Sequence, residues 1–258
     1  MQLPEERRQA IVDAVESEGR VLAAELAERL ATSEDTIRRD LRDLDAAGLL
    51  RRVHGGAIRL RPAENFEQRA ASDLPRKTQL AQGLRACIRP GDTVLIDAGS
   101  THLALARTLV DGCCATIVTN SPQIALALGG FQRTRIVLLG GTYHPNEGAV
   151  IGAATLAEVQ RLRPDLALVG VCAIDPARGL AASNPEEAAL KGAMLAASVR
   201  RAVAVLNERF DDSAPFVFGG LDEIDHLVLE ADAPLAAIAS LRERHPALDI
   251  TLTNKAPA

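Results

Sequence analysis

Thr32-Ser33-Glu34-Asp35-Thr36-Ile37-Arg38-Arg39-Asp40-Leu41-Arg42-Asp43-Leu44 is the stretch on which the reading of this chain turns. Ile37, Leu41 and Leu44 recur at helical spacing and form an apolar stripe. On the same wheel Asp35, Thr36, Arg38, Arg39 and Arg42 fall opposite or beside that stripe and face outward. Ser33 suits the N-cap, and Glu34 and Asp35 occupy the first turn, where the helix dipole favours carboxylates. A short helix presenting three arginines after a capped turn fits the major groove of DNA. Taken alone, it fits an ordinary solvated surface helix equally well.

The flanking sequence separates the two readings. Pro4 to about Ser17 reads as a helix opened by proline and anchored by Ile11, Val12 and Val15, and Gly19 closes it. Val21 to Leu30 reads as a second helix, apolar at Leu22, Leu26 and Leu30. A short turn through Ala31 and Thr32 then makes a helix-turn-helix whose second helix enters the groove. After Gly48, Leu49 to Val53 reads as a strand, His54-Gly55-Gly56 as a tight turn, and Ala57 to Leu60 as the returning strand. Such a hairpin is a wing, and Arg52, His54 and its glycines are placed to meet phosphate or a minor groove. Between Thr36 and Arg61 seven arginines face three aspartates, a local charge of +4 in a chain of net charge −5. That asymmetry is the footprint of a DNA-contacting module on an otherwise acidic protein.

The 258 residues suffice for two domains, and the 47% apolar fraction suffices for a packed core. With aromatics at 2% and no tryptophan, that core must be built from Ala, Leu, Val and Ile. No apolar run approaches the roughly 18 residues of a membrane span, and the acidic N-terminus lacks a secretory layout. Cys87, Cys113, Cys114 and Cys172 show no paired spacing, and they read as reduced residues of a cytoplasmic protein. No membrane partner is expected.

Arg61-Pro62-Ala63-Glu64 reads as the start of a linker. A helix from about Arg76 to Ile88 follows, ended by Arg89-Pro90-Gly91-Asp92. Strands and helices then alternate. Strands are expected at Thr93–Ile96, Ala115–Val118, Arg135–Leu139, Leu166–Val169, Ala202–Leu206, His226–Leu229 and Asp249–Leu252. Helices are expected at His102–Leu109, Pro122–Leu128 and Pro185–Val199. The fold class is therefore α/β, an N-terminal winged helix-turn-helix plus a larger α/β domain with a mainly parallel sheet. An open sheet of this kind places its ligand beyond the C-terminal ends of its strands. Three loops there are polar and small: Asp97-Ala98-Gly99-Ser100-Thr101, Thr119-Asn120-Ser121-Pro122 and Gly140-Gly141. The first two run into helix N-termini, where backbone N–H groups and the helix dipole favour an anion.

Ser33-x-x-Thr36-Ile37-Arg38-Arg39-Asp40-Leu41, followed by Gly48, Leu49, Arg52 and His54-Gly55-Gly56-Ala57, resembles the signature of the DeoR family of bacterial transcription regulators. Thr32 stands where that family usually has valine. The second domain resembles the DeoR sensor domain, similar in fold to ribose-5-phosphate isomerases. Its landmarks are Lys77, Asp97 to Thr101, Thr119 to Ser121, Leu139-Gly140-Gly141, Gly152, Asp165, Gly179-Leu180, Glu186-Glu187 and Lys191. The resemblance covers almost the whole chain. It implies domains at 1–60 and 76–258 joined by a linker at 61–75. It also implies a phosphorylated sugar or similar effector, with its phosphate on Gly99–Thr101 and Lys77 and Lys191 as cations. Two departures stand out. Ser100 replaces a threonine, keeping the hydroxyl. Asn207-Glu208-Arg209 replaces Asp-Ser-Lys, so the loop offers an amide and an arginine, and these are not interchangeable with the originals.

The rival reading is a sugar-phosphate isomerase carrying an appended DNA-binding domain. Isomerisation needs a carboxylate base beside the substrate carbon. Asp97, Asp175 and Glu187 are candidates, but none sits in a glycine-rich catalytic signature, and metal, triad and Walker motifs are absent. The expectation is a non-enzymatic regulator without cofactor or metal, a repressor of carbohydrate or polyol genes. It would bind a double-stranded operator as a homodimer or homotetramer. Ser33, Thr36, Arg38, Arg39, Arg42, Arg52, His54, Gly55 and Gly56 would face DNA. Lys77, Asp97, Gly99, Ser100, Thr101, Thr119, Asn120, Ser121, Gly140, Gly141, Glu187, Lys191 and Arg209 would form the effector site.

Overall fold

The structure is a computed structural model. It describes residues 4–53, 55–58, 64–210, 212 and 214–254. The chain divides into two compact units, Met1–Ala63 and Glu64–Ala258.

In the first unit α1 (Pro4–Glu18), α2 (Ala23–Arg29) and α3 (Glu34–Ala46) pack with β1 (Arg20–Leu22), β2 (Arg51–Val53) and β3 (Gly56–Ile58). Ile11, Val15, Leu26, Ile37, Leu41, Leu44, Leu50 and Ala57 form its core, so the expected apolar stripe of α3 is buried. One expectation is corrected. Val21-Leu22, expected to start the second helix, belongs instead to the strand Arg20–Leu22, antiparallel to β3 with Val21 opposite Ala57. Gly19 ends α1 at φ +76°, a left-handed conformation, and the residues after it run extended before α2 can begin. The wing is therefore a three-stranded sheet in the order β1-β3-β2. Close approach of β1 explains Gly56: a Cβ there would lie 1.9 Å from the Val21 carbonyl oxygen. His54, Arg59, Leu60 and Arg61 lie outside the described residues.

The second unit opens with α4 (Phe66–Ala71) and α5 (Leu74–Ala86). Residues 61–75 were expected to be linker, yet 66–71 are helical. The Asn65 side chain accepts from the Gln68 N–H and Gln68 returns the bond, a reciprocal capping box. Phe66 is 2% exposed and anchors α4 in the core.

Beyond α5, β4 (Thr93–Ile96), α6 (Ser100–Thr108), β5 (Thr116–Thr119), α7 (Pro122–Ala127) and β6 (Arg135–Leu138) alternate as expected. A hairpin of β7 (Thr142–His144) and β8 (Ala149–Ile151), then α8 (Ala153–Val159), leads to β9 (Leu166–Leu168). A small antiparallel sheet follows, made of β10 (Ala173–Asp175), β11 (Gly179–Ala182) and β13 (Phe216–Gly219). The remaining elements are α9 (Pro185–Ala197), β12 (Arg200–Val205), β14 (His226–Leu229), α10 (Leu235–Arg244) and β15 (Asp249–Leu252). Short 3-10 turns lie at Asn207–Phe210 and Leu221–Glu223.

The main sheet has seven strands in the order β15-β14-β12-β9-β4-β5-β6, and every neighbouring pair is parallel. Alternate residues serve opposite faces. Val94, Ile96, Ile117, Leu166, Leu168, Ala202 and Val228 pack with Leu80 and Leu84 of α5, Leu105 of α6 and Ile124 of α7. Leu95, Val118, Ala167, Val203, Leu227 and Leu229 pack with Val159 of α8, Met194 of α9 and Leu241 of α10. Helices thus cover both faces, and the connections reverse direction between β4 and β9. The crevice beyond those strand ends is the position that doubly wound sheets use for ligands.

Candidate functional site

The first candidate surface is α3. Ser33 caps it, its Oγ accepting from the Thr36 N–H at 3.2 Å and lying 2.9 Å from the Thr36 hydroxyl. At the other end the Leu49 N–H reaches the Leu44 carbonyl and the Gly48 N–H the Asp45 carbonyl, a Schellman closure with Gly48 at φ +69°. Both ends are therefore fixed by local sequence. Arg38, Arg39 and Arg42 are exposed. Arg38 pairs with Glu34 at 2.7 Å, one turn earlier. Arg39 and Arg42 have no ion-pair partner among the described residues.

Three of the acids that balance these arginines in the sequence have partners of their own. Asp40 is 2% exposed and accepts from Arg7 Nε at 2.6 Å and Arg8 Nε at 3.2 Å. Arg8 also reaches Asp43, and Asp45 accepts the Arg52 N–H at 3.3 Å. The hydrogen bond from Arg7 to Asp40 holds its guanidinium above the ordinary arginine range. Of the five acids on α3 only Asp40 is withdrawn from the surface, while Glu34, Asp35, Asp43 and Asp45 stay exposed beside the three arginines. Arg52 and Gly55 are exposed on the wing, whereas Gly56 is buried inside it, so its part is packing and not contact. Sequence reading missed the role of Asp40, although its position one residue before Leu41 puts it beside the apolar stripe.

The second candidate lies at the C-terminal end of the main sheet, around the β4–β9 reversal. Asp97, at the end of β4, accepts the Gly170 N–H from the end of β9 at 3.0 Å, and its Oδ2 pairs with Lys191 of α9. Lys191 also reaches Glu187 at 3.2 Å, one helical turn earlier, and sits 6.0 Å from the Phe218 ring centroid. Burial opposes charge on Lys191, yet Asp97 and Glu187 together hold its ammonium above the ordinary lysine value. His102 Nδ1 is 2.7 Å from the Asp97 carbonyl oxygen, so that nitrogen carries the proton and donates. Burial pushes the imidazole below its ordinary value.

The three polar loops divide by what their groups already hold. Gly99, Ser100 and Thr101 are half-buried, and the two hydroxyls have no partner among the described residues. Thr119, Asn120 and Ser121 are buried and committed internally. Asn120 Oδ1 accepts the Ala98 N–H at 2.8 Å, Thr119 Oγ1 accepts the Ser121 N–H at 3.1 Å, and Ser121 caps α7. That second loop braces the first instead of presenting donors of its own. At the third, the Gly140 N–H donates to Glu158 at 3.1 Å, so a carboxylate of this chain already occupies it.

Of the lysines read as anion ligands, Lys77 is fully committed and Lys191 partly so. Lys77 is 3% exposed, and its three donors go to the Arg69 carbonyl, the Ser72 carbonyl at 2.7 Å and Ser72 Oγ at 3.3 Å. Burial draws its ammonium below the ordinary lysine value. Lys191 keeps one donor beyond its two carboxylates. Arg209 is half-buried and pairs with Asp212 at 2.6 Å.

One cation escaped sequence reading. Arg69 of α4 is half-buried, and its donors reach only main-chain carbonyls: Glu64, Asn146 at 3.0 Å and Glu147 at 3.4 Å. No carboxylate among the described residues pairs with it. Burial lowers its guanidinium below the ordinary arginine range, against attraction from Cys172, Glu187 and Glu147 and with repulsion from Arg209. The Asn65-x-x-Gln68 capping signature would have revealed the helix that carries it. A separate cavity of about 280 Å³ opens toward β14 and β15, lined by Arg76, Gln79, Glu230, Asp232, Thr253 and Asn254, and it holds none of the expected effector residues.

Residues 7–63 match the model of the DeoR-like helix-turn-helix domain, and residues 72–231 match that of the DeoR C terminal sensor domain. The chain belongs to the DeoR family. Among DeoR-family relatives, the glycerol-3-phosphate regulon repressor of Escherichia coli K12 is 30% identical over 247 residues, covering 95% of this chain and 98% of the relative. The HTH-type transcriptional regulator GlpR of Haloferax volcanii is 31% identical over 239 residues, covering 90% and 93%. The L-fucose operon activator of Escherichia coli K12 is 30% identical over 227 residues, covering 86% and 93%. In DeoR-family terms, α3 belongs to the helix-turn-helix domain and the Asp97–Lys191 crevice to the sensor domain. No helix among the described residues is long and apolar enough to cross a membrane.

Proposed function

We propose that this chain is a cytoplasmic transcription regulator that binds a double-stranded operator through α3 and its wing. A small phosphorylated sugar or polyol, held in the sensor domain, sets its affinity for DNA. The observation that carries the DNA half is the pairing of charge on α3. Arg39 and Arg42 stand outward without an ion-pair partner among the described residues, while Asp40 and Asp43 pair with arginines of α1. Arginine forks of this kind hydrogen-bond guanine edges or phosphates. The effector half rests on Arg69, a half-buried guanidinium with no ion-paired carboxylate among the described residues, together with Arg209 and the hydroxyls of Ser100 and Thr101, which have no partner among those residues. A half-buried guanidinium held only by main-chain carbonyls gains when an anion joins it.

Repression is the favoured sign, with release when the effector is bound. The operator's symmetry would match a dimer or tetramer of the chain. Binding of the intact protein to DNA upstream of its own gene, with and without glycerol 3-phosphate and other phosphorylated sugars, tests the whole proposal. Retention of that DNA, with loss of binding on adding one such compound, is the expected result. Equal affinity with every compound would sink the sensor half, and no preference over random DNA would sink the regulator half.

The isomerase reading needs a free carboxylate base. Asp97 is instead tied to Lys191 and the Gly170 N–H, an arrangement suited to holding strand ends together. Turnover of pentose or hexose phosphates that disappears in Asp97→Asn would reinstate it.

A further inference from the structure

Adjacent side chains at the start of α5 brace two segments that each carry an arginine. Lys77 spends its ammonium on the carbonyls of Arg69 and Ser72, fixing the end of α4. Arg76 reaches the ends of β12 and β14. Its Nε and Nη2 meet Glu230 at 2.6 and 2.7 Å, and its Nη1 and Nη2 meet Glu208 at 3.2 and 2.6 Å. Glu230, 6% exposed, also accepts the Asn207 N–H at 2.6 Å. Asn207 Nδ2 donates to Asp232 at 2.9 Å. The first two residues of the 3-10 turn Asn207–Phe210 are thus pinned, one through its backbone and one through its carboxylate. The third is Arg209: its Nη1 meets Asp212 at 2.6 Å, and its Nε and Nη2 have no partner among the described residues.

We propose that Arg76, Glu208 and Glu230 form a positioning cluster that holds the Asn207–Phe210 turn so that Arg209 is aimed at the anionic group of the effector. The inference rests on the effector reading above. The cluster's residues do not touch the ligand; they act through the backbone of the turn. A guanidinium shared between two bidentate carboxylates fixes direction as well as distance. Prior fixing of the turn spares the ligand the cost of ordering a long side chain, a cost on the scale of a several-fold change in affinity. Glu208 would therefore favour anion binding although it adds a negative charge beside a cation.

That opposition of signs gives the test. Titration calorimetry of the full chain would use inorganic phosphate and glycerol 3-phosphate as probes, with thermal unfolding as a check on the fold. Glu208→Ala is expected to weaken both probes roughly 3- to 10-fold. Glu208→Gln, which keeps one acceptor for Arg76, should fall less, and it carries the same comparison if the alanine variant does not fold. If Glu208 acts only by its charge, both variants bind phosphate more tightly than the unaltered chain, and the proposal is overturned. Unchanged affinity overturns it as well. An unaltered chain that binds neither probe would instead overturn the effector reading on which the inference rests.

Discussion

Lys191 of α9 and Asp97 at the end of β4 form an ion pair in which both side chains are only 3% exposed. The pair ties the ends of β4 and β9 to α9, because Asp97 also accepts the Gly170 N–H. Removing one partner strands the other charge, together with the Gly170 N–H bond and the Glu187 contact that depend on the same geometry. Lys191→Met should destabilise the sensor unit by about 3–5 kcal/mol. Lys191→Met with Asp97→Asn should cost clearly less than the sum of the single changes, because neither charge is then left alone. Denaturant unfolding of the four proteins measures this, and strict additivity would show that the pair is not coupled.

His102 makes stability depend on pH. Its folded value is lowered from 6.5 by burial, so below about pH 6.5 the unfolded chain takes a proton that the folded chain refuses. This contribution is complete above the unfolded value and is lost as pH falls toward the folded one, by up to about 1.4 kcal/mol per pH unit. Unfolding midpoints between pH 7.5 and 5 should decline, and His102→Gln should decline less steeply over that range. Parallel curves would remove His102 as the cause.

On α3, Asp40 and Arg39 should fail in different ways. Asp40→Ala leaves Arg7 and Arg8 without their shared carboxylate and should cost the first unit roughly 2–3 kcal/mol, discounted because Arg8 reaches solvent. Arg39→Ala should leave stability within about 0.5 kcal/mol and reduce discrimination between operator and random DNA by about 1–3 kcal/mol. Thermal unfolding separates the first from the second. Equal weakening on both DNAs would make Arg39 a phosphate contact.

Gly56 admits no side chain. A Cβ would meet the Val21 carbonyl oxygen at 1.9 Å, so Gly56→Ala must push β1 away from β3. A loss of about 1–3 kcal/mol in the first unit is expected, with DNA binding falling in proportion to the folded fraction. Gly55→Ala, in an exposed turn at φ +83°, should cost less, because only backbone strain opposes it.

Arg69→Gln should stabilise or barely change the effector-free sensor unit, since it removes a half-buried cation that lacks an ion-paired carboxylate among the described residues. The same change should weaken phosphate or glycerol 3-phosphate at least tenfold by calorimetry, on the scale of a charge-assisted bond. Unaltered affinity would place the anion elsewhere.

Much of this architecture could be read before any coordinates. Local rules sufficed wherever one segment decides its own structure. Ser33 and Gly48 terminate α3, Gly55 turns the wing, and apolar runs such as Thr93–Ile96 mark buried parallel strands. They failed where a partner distant in sequence decides. Arg20-Val21-Leu22 is a strand only because β3 lies beside it, and the three-residue strands β10 and β11 gain their definition from each other and from β13. The helix at Phe66–Ala71 differs, since its capping box at Asn65 and Gln68 is local and legible in the sequence.

For the site, sequence by itself determined which residue types stand at the strand ends and that arginines crowd α3. Hydrogen-bonding residues and charges are visible in a sequence, but their partners are not. Only the tertiary structure decided that Asp40 faces Arg7, that Thr119, Asn120 and Ser121 serve their own loop, and that Lys77 is fully committed and Lys191 partly so. It likewise left Arg69 without an ion-pair partner among the described residues. Burial and pairing are properties of the packed chain: a charge is available to a ligand only through the donors that folding has not already engaged.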